Sequence, residues 1–249
     1  MKENEMIFGV RAVIEAIQAG KEIDRLYIKR DLQSELSREL LAVLKEYGII
    51  AQRVPVERLD RITRKNHQGV IAFISAITYQ RLEDIIPFLY EQGKDPFIVL
   101  LDGITDVRNF GAIARSCECA GVDAIVIPAK GSVTVNADAI KTSAGALHVL
   151  PVCKEKNINQ AIRFLKDSGV TVIAATEKAA DVYMDAPMEG PIALVMGAED
   201  TGVSNDNLRS SDRIVKIPQF GTIGSLNVSV ASSILIYEVV RQRMKNGSM

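Results

Sequence analysis

Residues 217–243 read IPQFGTIGSLNVSVASSILIYEVVRQR, and three textures follow one another within them. A strand ending reaches Pro218, a loop with Gly221 and Gly224 follows, and the pattern predicts a helix over Leu226–Met244. The helix opens among hydroxyls and amides (Ser225, Asn227, Ser229) and turns apolar on most faces (Val230, Ile234, Leu235, Ile236, Val239). Ser225 reads as the N-cap. Asn227 is a poor helix former placed just inside the start, and helix formation alone does not account for it.

Working outward, residues from Phe97 onward repeat one scheme of apolar strands separated by longer helices. Strands are predicted at Phe97–Leu101, Ala124–Ile127, Val149–Val152, Val170–Ala175, Ile192–Met196 and Ile214–Ile217. Several are continuous apolar runs, as expected when both faces of a parallel sheet are covered. The intervening helices fall near Gly111–Ala120, Asp138–Ala144 and Asn159–Asp167.

Upstream, the first 75 residues alternate in shorter units. Val10, Val13, Ile14 and Ile17 form a helical stripe, with Gly20 placed to cap it. Leu26–Ile28 reads as a strand, Ser34–Tyr47 as a helix stopped by Gly48, and Ile49–Val54 as a second strand. Pro55 opens a short helix through Ile62, and the polar turn RKNHQG precedes the strand Val70–Ile74. The domains are therefore expected at 1–76 and 96–249. Residues 77–95 form a linker with a short amphipathic helix interrupted by Pro87.

The composition narrows the function. At 249 residues, with 47% hydrophobic and 24% charged, the chain is of ordinary globular make-up. No apolar run approaches the ~20 residues that span a bilayer, and the polar start MKENEM is not expected to be a signal peptide. Cys117, Cys119 and Cys153 are odd in number and lack CxxC spacing, which points away from disulfides and zinc and toward a cytoplasmic location. No metal site is expected. The net charge of −1 hides a basic stretch, Arg53, Arg58, Arg61, Arg64 and Lys65, opposed only by Glu57 and Asp60. Such a stripe is either a solvated helix face or a phosphate contact.

Ligands of open parallel sheets bind outside the carboxyl ends of the strands, so the loops leaving those strands carry the chemistry. LLDGITDVRNFGAIARS (100–116) offers Asp102, Asp106, Arg108 and Asn109 ahead of a helix bearing Arg115. MGAEDTGVS (196–204) sets Glu199 among small residues that let a backbone approach a ligand closely. The third loop is 217–227. Neither GxGxxG nor a Walker A sequence is present in the first, which excludes the standard dinucleotide and P-loop readings there. Taken singly, Asn109 reads as an N-cap, Glu199 as a helix-start cap and Arg115 as a surface residue.

Taken together, NFGAIARS, LVMGAEDTGVS and IPQFGTIGSLNVSVASSILIYE resemble the three motifs of the SpoU/TrmH family of SPOUT-class RNA methyltransferases, in order and spacing. IFGVRAVIEAI and NHQGVIAFIS resemble the ends of the L30e/L7Ae-like substrate-binding domain often fused to them. One departure is Asp200, where a Gly is common. The resemblance implies an α/β chain whose C-terminal parallel-sheet methyltransferase domain is knotted, preceded by the small α/β RNA-binding domain. It implies S-adenosylmethionine as cofactor, held through Thr176, Gly197, Ile217, Pro218 and Leu226. Arg115, Asn109, Glu199, Ser225 and Asn227 form the implied catalytic set, and Arg11, Arg64, Lys65, His67 and Arg108 the implied RNA contacts. The reaction implied is methyl transfer to a ribose 2′-hydroxyl of structured RNA, with a guanosine of 23S ribosomal RNA favoured over transfer RNA. A homodimer through the knotted domain is implied as well, and the surplus apolar surface of 226–244 fits one. Two other readings stand beside this one: a non-catalytic RNA-binding assembly factor, and an enzyme binding another nucleotide. His148 reads as packing at a strand start, and Cys117 and Cys119, two apart on a helix, point to different faces.

Overall fold

A computed structural model describes residues 6–247. The first five residues of the polar start lie outside the described residues. The chain divides into two compact units, Met1–Thr78 with Thr134–Ala137, and Tyr79–Val133 with Asp138–Met249.

The first unit contains β1 (Met6–Phe8), α1 (Val10–Gln18), β2 (Ile23–Lys29), α2 (Glu35–Glu46), β3 (Ala51–Val54), α3 (Val56–Ile62) and β4 (Val70–Ile74). Its sheet runs β1-β4-β2-β3, with β4 antiparallel to both neighbours and β2 parallel to β3. Strand periodicity sorts the side chains between two cores. Leu26, Ile28, Val70 and Ala72 pack against α1 and α2, while Tyr27 and Ile71 pack with Leu59 of α3.

The second unit begins with α4 (Leu82–Glu91), β5 (Phe97–Asp102), α5 (Val107–Cys119) and β6 (Ala124–Pro128). After α6 (Ala137–Thr142), which starts at the join of the units, come β7 (Val152–Glu155), α7 (Ile158–Asp167), β8 (Thr171–Ala175) and β9 (Asp181–Val182). The chain ends with β10 (Ile192–Gly197), α8 (Asn205–Ser210), β11 (Arg213–Lys216) and α9 (Val228–Lys245). All seven strands are parallel, in the order β7-β6-β5-β10-β8-β11-β9. Ile98 and Leu100 of β5, Val172 and Ala174 of β8, and Ala193 and Val195 of β10 pack with α4 and α7 on one face.

Several boundaries differ from the sequence expectation. Residues 77–95 are not merely a linker. Leu82, Ile85, Ile86 and Leu89 of α4 lie in the second unit's core, and the helix runs unbroken through Pro87. The strand expected at Val149–Val152 lies instead at Val152–Glu155. The apolar residues before it form a short 3₁₀ turn, Ala146–His148, and Val149 is exposed. As the sheet's edge, β7 can be amphipathic. His148 is on the surface, not packed. Three short elements, β1, β9 and α8, escaped the periodicity because too few residues carry it.

At the amino edge of the large sheet, Arg243 near the end of α9 fastens the entries to β5 and β10. Its Nη2 lies 3.1 Å from the Asp95 and Pro96 carbonyls and 2.7 Å from that of Gly190. The guanidinium also covers the Phe97 ring, 5.1 Å from its centroid. Burial lowers the Arg243 pKa, while the Asp123 and Asp95 carboxylates oppose the shift. Arg243→Met keeps the apolar stem but removes the donors, and should cost about 2 kcal/mol in a urea melt. An unchanged midpoint would show that the clamp contributes nothing.

Cys117 is buried and Cys119 exposed, as their spacing predicts, and Cys153 is buried. Burial pushes the Cys117 thiol up, and burial with nearby carboxylates pushes that of Cys153 up to about 12. Iodoacetamide should therefore alkylate Cys119 alone in the native protein and all three cysteines after denaturation, as read by mass spectrometry.

Candidate active site

A cavity of about 300 Å³ opens at the carboxyl ends of β8, β10 and β11. Ala175 to Lys178 leave β8, Met196 to Gly202 leave β10, and Ile217 and Gln219 follow β11. Gly224, Ser225 and Leu226 close it together with Val228 and Ala231 of α9. Four of the five expected cofactor residues (Thr176, Gly197, Ile217 and Leu226) thus share one wall, and Pro218 falls outside it.

Gly197 is required by the protein's own backbone. A Cβ there would collide with the backbone of Gly202 and Val203, because the loop closes back with the Gly202 N–H donating to the Ala198 carbonyl at 2.9 Å. The loop is also tied from below. Asp102 Oδ2, at the end of β5, accepts from the Ser204 N–H and from Asn207 Nδ2, both at 2.8 Å. Asp200 is exposed on this loop, and Glu199 keeps its place.

Helix α9 starts two residues later than expected, which accounts for Asn227. This residue, and not Ser225, is the N-cap: Asn227 Oδ1 accepts from the Ser229 N–H at 2.9 Å. Its Nδ2 then donates to Glu199 Oε1 and, at 3.0 Å, to Asn109 Oδ1. The Val228 N–H also points to Glu199 Oε1, at 3.4 Å. Asn109 does not cap its own helix either, since Asp106 Oδ1 accepts from the Arg108 and Asn109 N–H groups. Gly111, in the same motif, lets α5 sit against Thr142, whose Cβ would be 2.6 Å from an added methyl group. Replacing Asn227 by Ala removes both the cap and the Asn109–Glu199 bridge. It should cost about 1 kcal/mol of stability by thermal melting and weaken activity further; an unaltered melt would remove the cap from the argument.

The first, second and third loops therefore meet in a hydrogen-bonded trio, Asn109–Asn227–Glu199, and Ser225 lines the same cavity as Glu199. Asn109 Nδ2 and Glu199 Oε2 remain without a partner among the described residues. Arg115 does not join the trio. Six residues beyond Asn109, it lies about 120° around the helix, exposed and without an ion-pair partner among the described residues. Sequence reasoning missed Glu177 and Lys178, which line the same cavity. Their position just past a buried strand was the available signal.

The expected RNA contacts separate into surface and interior. Arg64 is exposed, Lys65 lies 5.7 Å over the Phe8 ring, Arg108 is exposed at the start of α5, and Arg11 pairs with Glu39 at 3.2 Å. His67 differs: it is 8% exposed, and both ring nitrogens are engaged inside the unit. Nδ1 accepts the Gly69 N–H at 3.0 Å, so Nε2 carries the hydrogen and donates to Asp60 Oδ1, also at 3.0 Å. It braces the turn bearing Arg64 and Lys65 and is not free to touch RNA. Among the described residues, no His, Cys, Asp and Glu cluster could hold a metal ion.

An open parallel sheet with a ligand-sized cavity over its carboxyl edge, whose wall includes Glu199, the carboxylate that Asn227 ties to Asn109, defines an α/β domain of the cofactor-binding class. Residues 96–237 match the model of the SpoU rRNA methylase family, and residues 6–80 match that of the RNA 2′-O ribose methyltransferase substrate-binding domain. The chain belongs to the SpoU rRNA methylase family. It is 35% identical to the 23S rRNA (guanosine-2′-O-)-methyltransferase RlmB of Photobacterium profundum, over 96% of this chain and 98% of that one. Among solved structures, it resembles the AdoMet-bound rRNA methyltransferase from Sinorhizobium meliloti, with a TM-score of 0.60 and 26% identity, covering 95% and 86% of the two chains. It also resembles the A. aeolicus TrmH/SpoU tRNA modifying enzyme, with a TM-score of 0.57 and 30% identity over 67% of this chain and 86% of that one.

Proposed function

We propose that this chain methylates the ribose 2′-hydroxyl of a guanosine in 23S ribosomal RNA, using S-adenosylmethionine. The observation that carries the reading is the full-length identity, at 35%, with an enzyme of that named activity, spanning both units. The transfer-RNA alternative draws on a structural likeness that covers 67% of the chain and on full-length relatives, at 30% and 35% identity, whose names give tRNA/rRNA methyltransferase.

The cavity suits the cofactor chemically. Its wall carries Glu177, Glu199 and Asp200 against Lys178 alone, a balance that favours a cationic ligand over a phosphate-bearing one. That balance weighs against another nucleotide. Ala175, Met196, Ile217 and Leu226 offer apolar surface for a purine and its ribose. When bound, S-adenosylmethionine supplies a methyl group activated on a sulfonium.

The acceptor is a hydroxyl that hardly ionises at neutral pH, so the protein must orient it and ease loss of its proton. Glu199 Oε2 is available to accept the hydroxyl's hydrogen bond, and Asn109 Nδ2 and Ser225 Oγ can hold the ribose. Asn227 fixes the first two by its own hydrogen bonds. A guanidinium stays protonated, so Arg115 engages an RNA phosphate and polarises the acceptor instead of acting as the base.

We further read the protein as a cytoplasmic homodimer that associates through its second unit. Val230, Tyr237 and Met244 recur every seven residues along α9 and are all exposed, near the exposed Leu226. Such a stripe fits a second copy. Sedimentation should give twice the 27.2 kDa chain mass.

The test is transfer of labelled methyl to ribosomal and transfer RNA from cells lacking the protein, followed by alkaline hydrolysis. An alkali-stable labelled dinucleotide containing Gm, from 23S RNA alone, is expected. Label in transfer RNA would overturn the substrate assignment. Absence of both transfer and cofactor binding would favour an assembly factor.

A further inference from the structure

A second cavity, of about 690 Å³, opens on the same edge of the large sheet, over β5, β6 and β7. Its wall includes Lys130, just past β6, Lys156, between β7 and α7, and Arg163 on α7. All three are exposed, and none has an ion-pair or hydrogen-bond partner among the described residues. Two carboxylates share the wall. Asp102 is occupied by Ser204 and Asn207, and Asp206 lies 3.9 Å from Arg209. Three uncommitted cations thus converge on one concavity, whereas the charged residues lining the cavity over β8, β10 and β11 are three acids and one lysine.

This charge reversal along one sheet edge has a physical consequence. A cationic cofactor is favoured at the acidic end, and a polyanion at the basic end. We propose that the basic cavity is an RNA phosphodiester subsite, holding the substrate strand a few nucleotides from the ribose being methylated. The distance fits. Asn109 and Glu199, which hold that ribose, follow β5 and β10, one and two strand spacings from β6, about 5 to 10 Å at ~4.8 Å each. That equals roughly one to three stacked steps at ~3.4 Å each. The Gly197–Ser204 segment separates the two cavities: Gly197 to Gly202 line the acidic one and Ser204 the basic one. Asp102 therefore holds in place the wall they share. Lys130, Lys156 and Arg163 would bind the phosphate in ground and transition states alike, setting affinity and register and leaving the chemistry alone. The inference rests on the RNA-methyltransferase reading.

The test compares two triple variants of the full-length protein, each losing three charges. K130Q/K156Q/R163Q empties the basic cavity, and K94Q/R213Q/K245Q removes cations from the opposite edge of the sheet. The probe is unmodified 23S RNA made by transcription, bound to protein without cofactor at several salt concentrations. The first variant should bind roughly tenfold more weakly, and its log K against log salt slope should flatten by about one, as for loss of one phosphate contact. The second should match the wild type. In transfer assays, the first variant should raise the RNA KM with kcat and cofactor affinity retained. Equal affinity and slope for the first variant and the wild type would overturn the subsite, as would equal losses in both variants. Binding is read without cofactor, so it decides the subsite even if the wild type fails to methylate this RNA. That failure would count against the methyltransferase substrate alone.

Discussion

Arg115→Lys should lower kcat for methyl transfer by about 10²-fold, within the range for losing one preorganised donor, with cofactor affinity retained. The expectation follows from the difference between the two cations. A guanidinium offers a rigid planar fork that can bind a phosphate bidentately and still direct a donor at a neighbouring oxygen. An ammonium is a point charge on a flexible stem and cannot do both. Arg115 is exposed, has no partner among the described residues, and lies away from the Asn109–Asn227–Glu199 trio. The substitution therefore leaves the fold and the cavity alone. Single-turnover kinetics separate chemistry from RNA binding, and near-normal turnover in the Lys variant would exclude a guanidinium-specific role.

Gly197→Ala is the second large effect, and its cause is steric. The added methyl would meet the backbone of Gly202 and Val203, which cannot rotate aside as a side chain can. The 198–203 segment must lift, taking Glu199 with it and opening the cofactor wall. Overpacking of this kind costs about 3 kcal/mol. Calorimetric titration should show cofactor binding reduced by about two orders of magnitude, the equivalent of ~2.8 kcal/mol. Gly221→Ala is the matched control, because nothing lies within 4 Å of its added methyl group. It should melt and bind as the wild type does. Equal behaviour of the two variants would show that the loop adapts at no cost.

Much of the fold was legible because burial writes itself into periodicity. The continuous apolar runs at 97–101 and 192–196 marked strands covered on both faces, and both lie in the middle of the parallel sheet. The expectation failed where an edge strand did not need that texture, at Val152–Glu155. It failed again where a helix treated as linker proved to be core, at Leu82–Glu91. The site was legible as motifs, but its internal logic was not. Asn227 looked like a misplaced helix residue; it is the N-cap, and its amide joins two loops. His67 looked like a surface contact, and it is a buried brace.

By itself, the sequence determined the class of the chain, two α/β units with polar motifs at the exits of buried strands, because hydrophobic period and loop composition are local properties. Only the tertiary structure decided which motif residues touch. Asn109, Glu199 and Asn227 are as much as 118 positions apart, and only the parallel order of β5, β10 and β11 brings their loops together. The same ordering set an acidic and a basic cavity on one edge of one sheet. Charge in three dimensions depends on which strand ends become neighbours, and a composition with a net charge of −1 carries no trace of it.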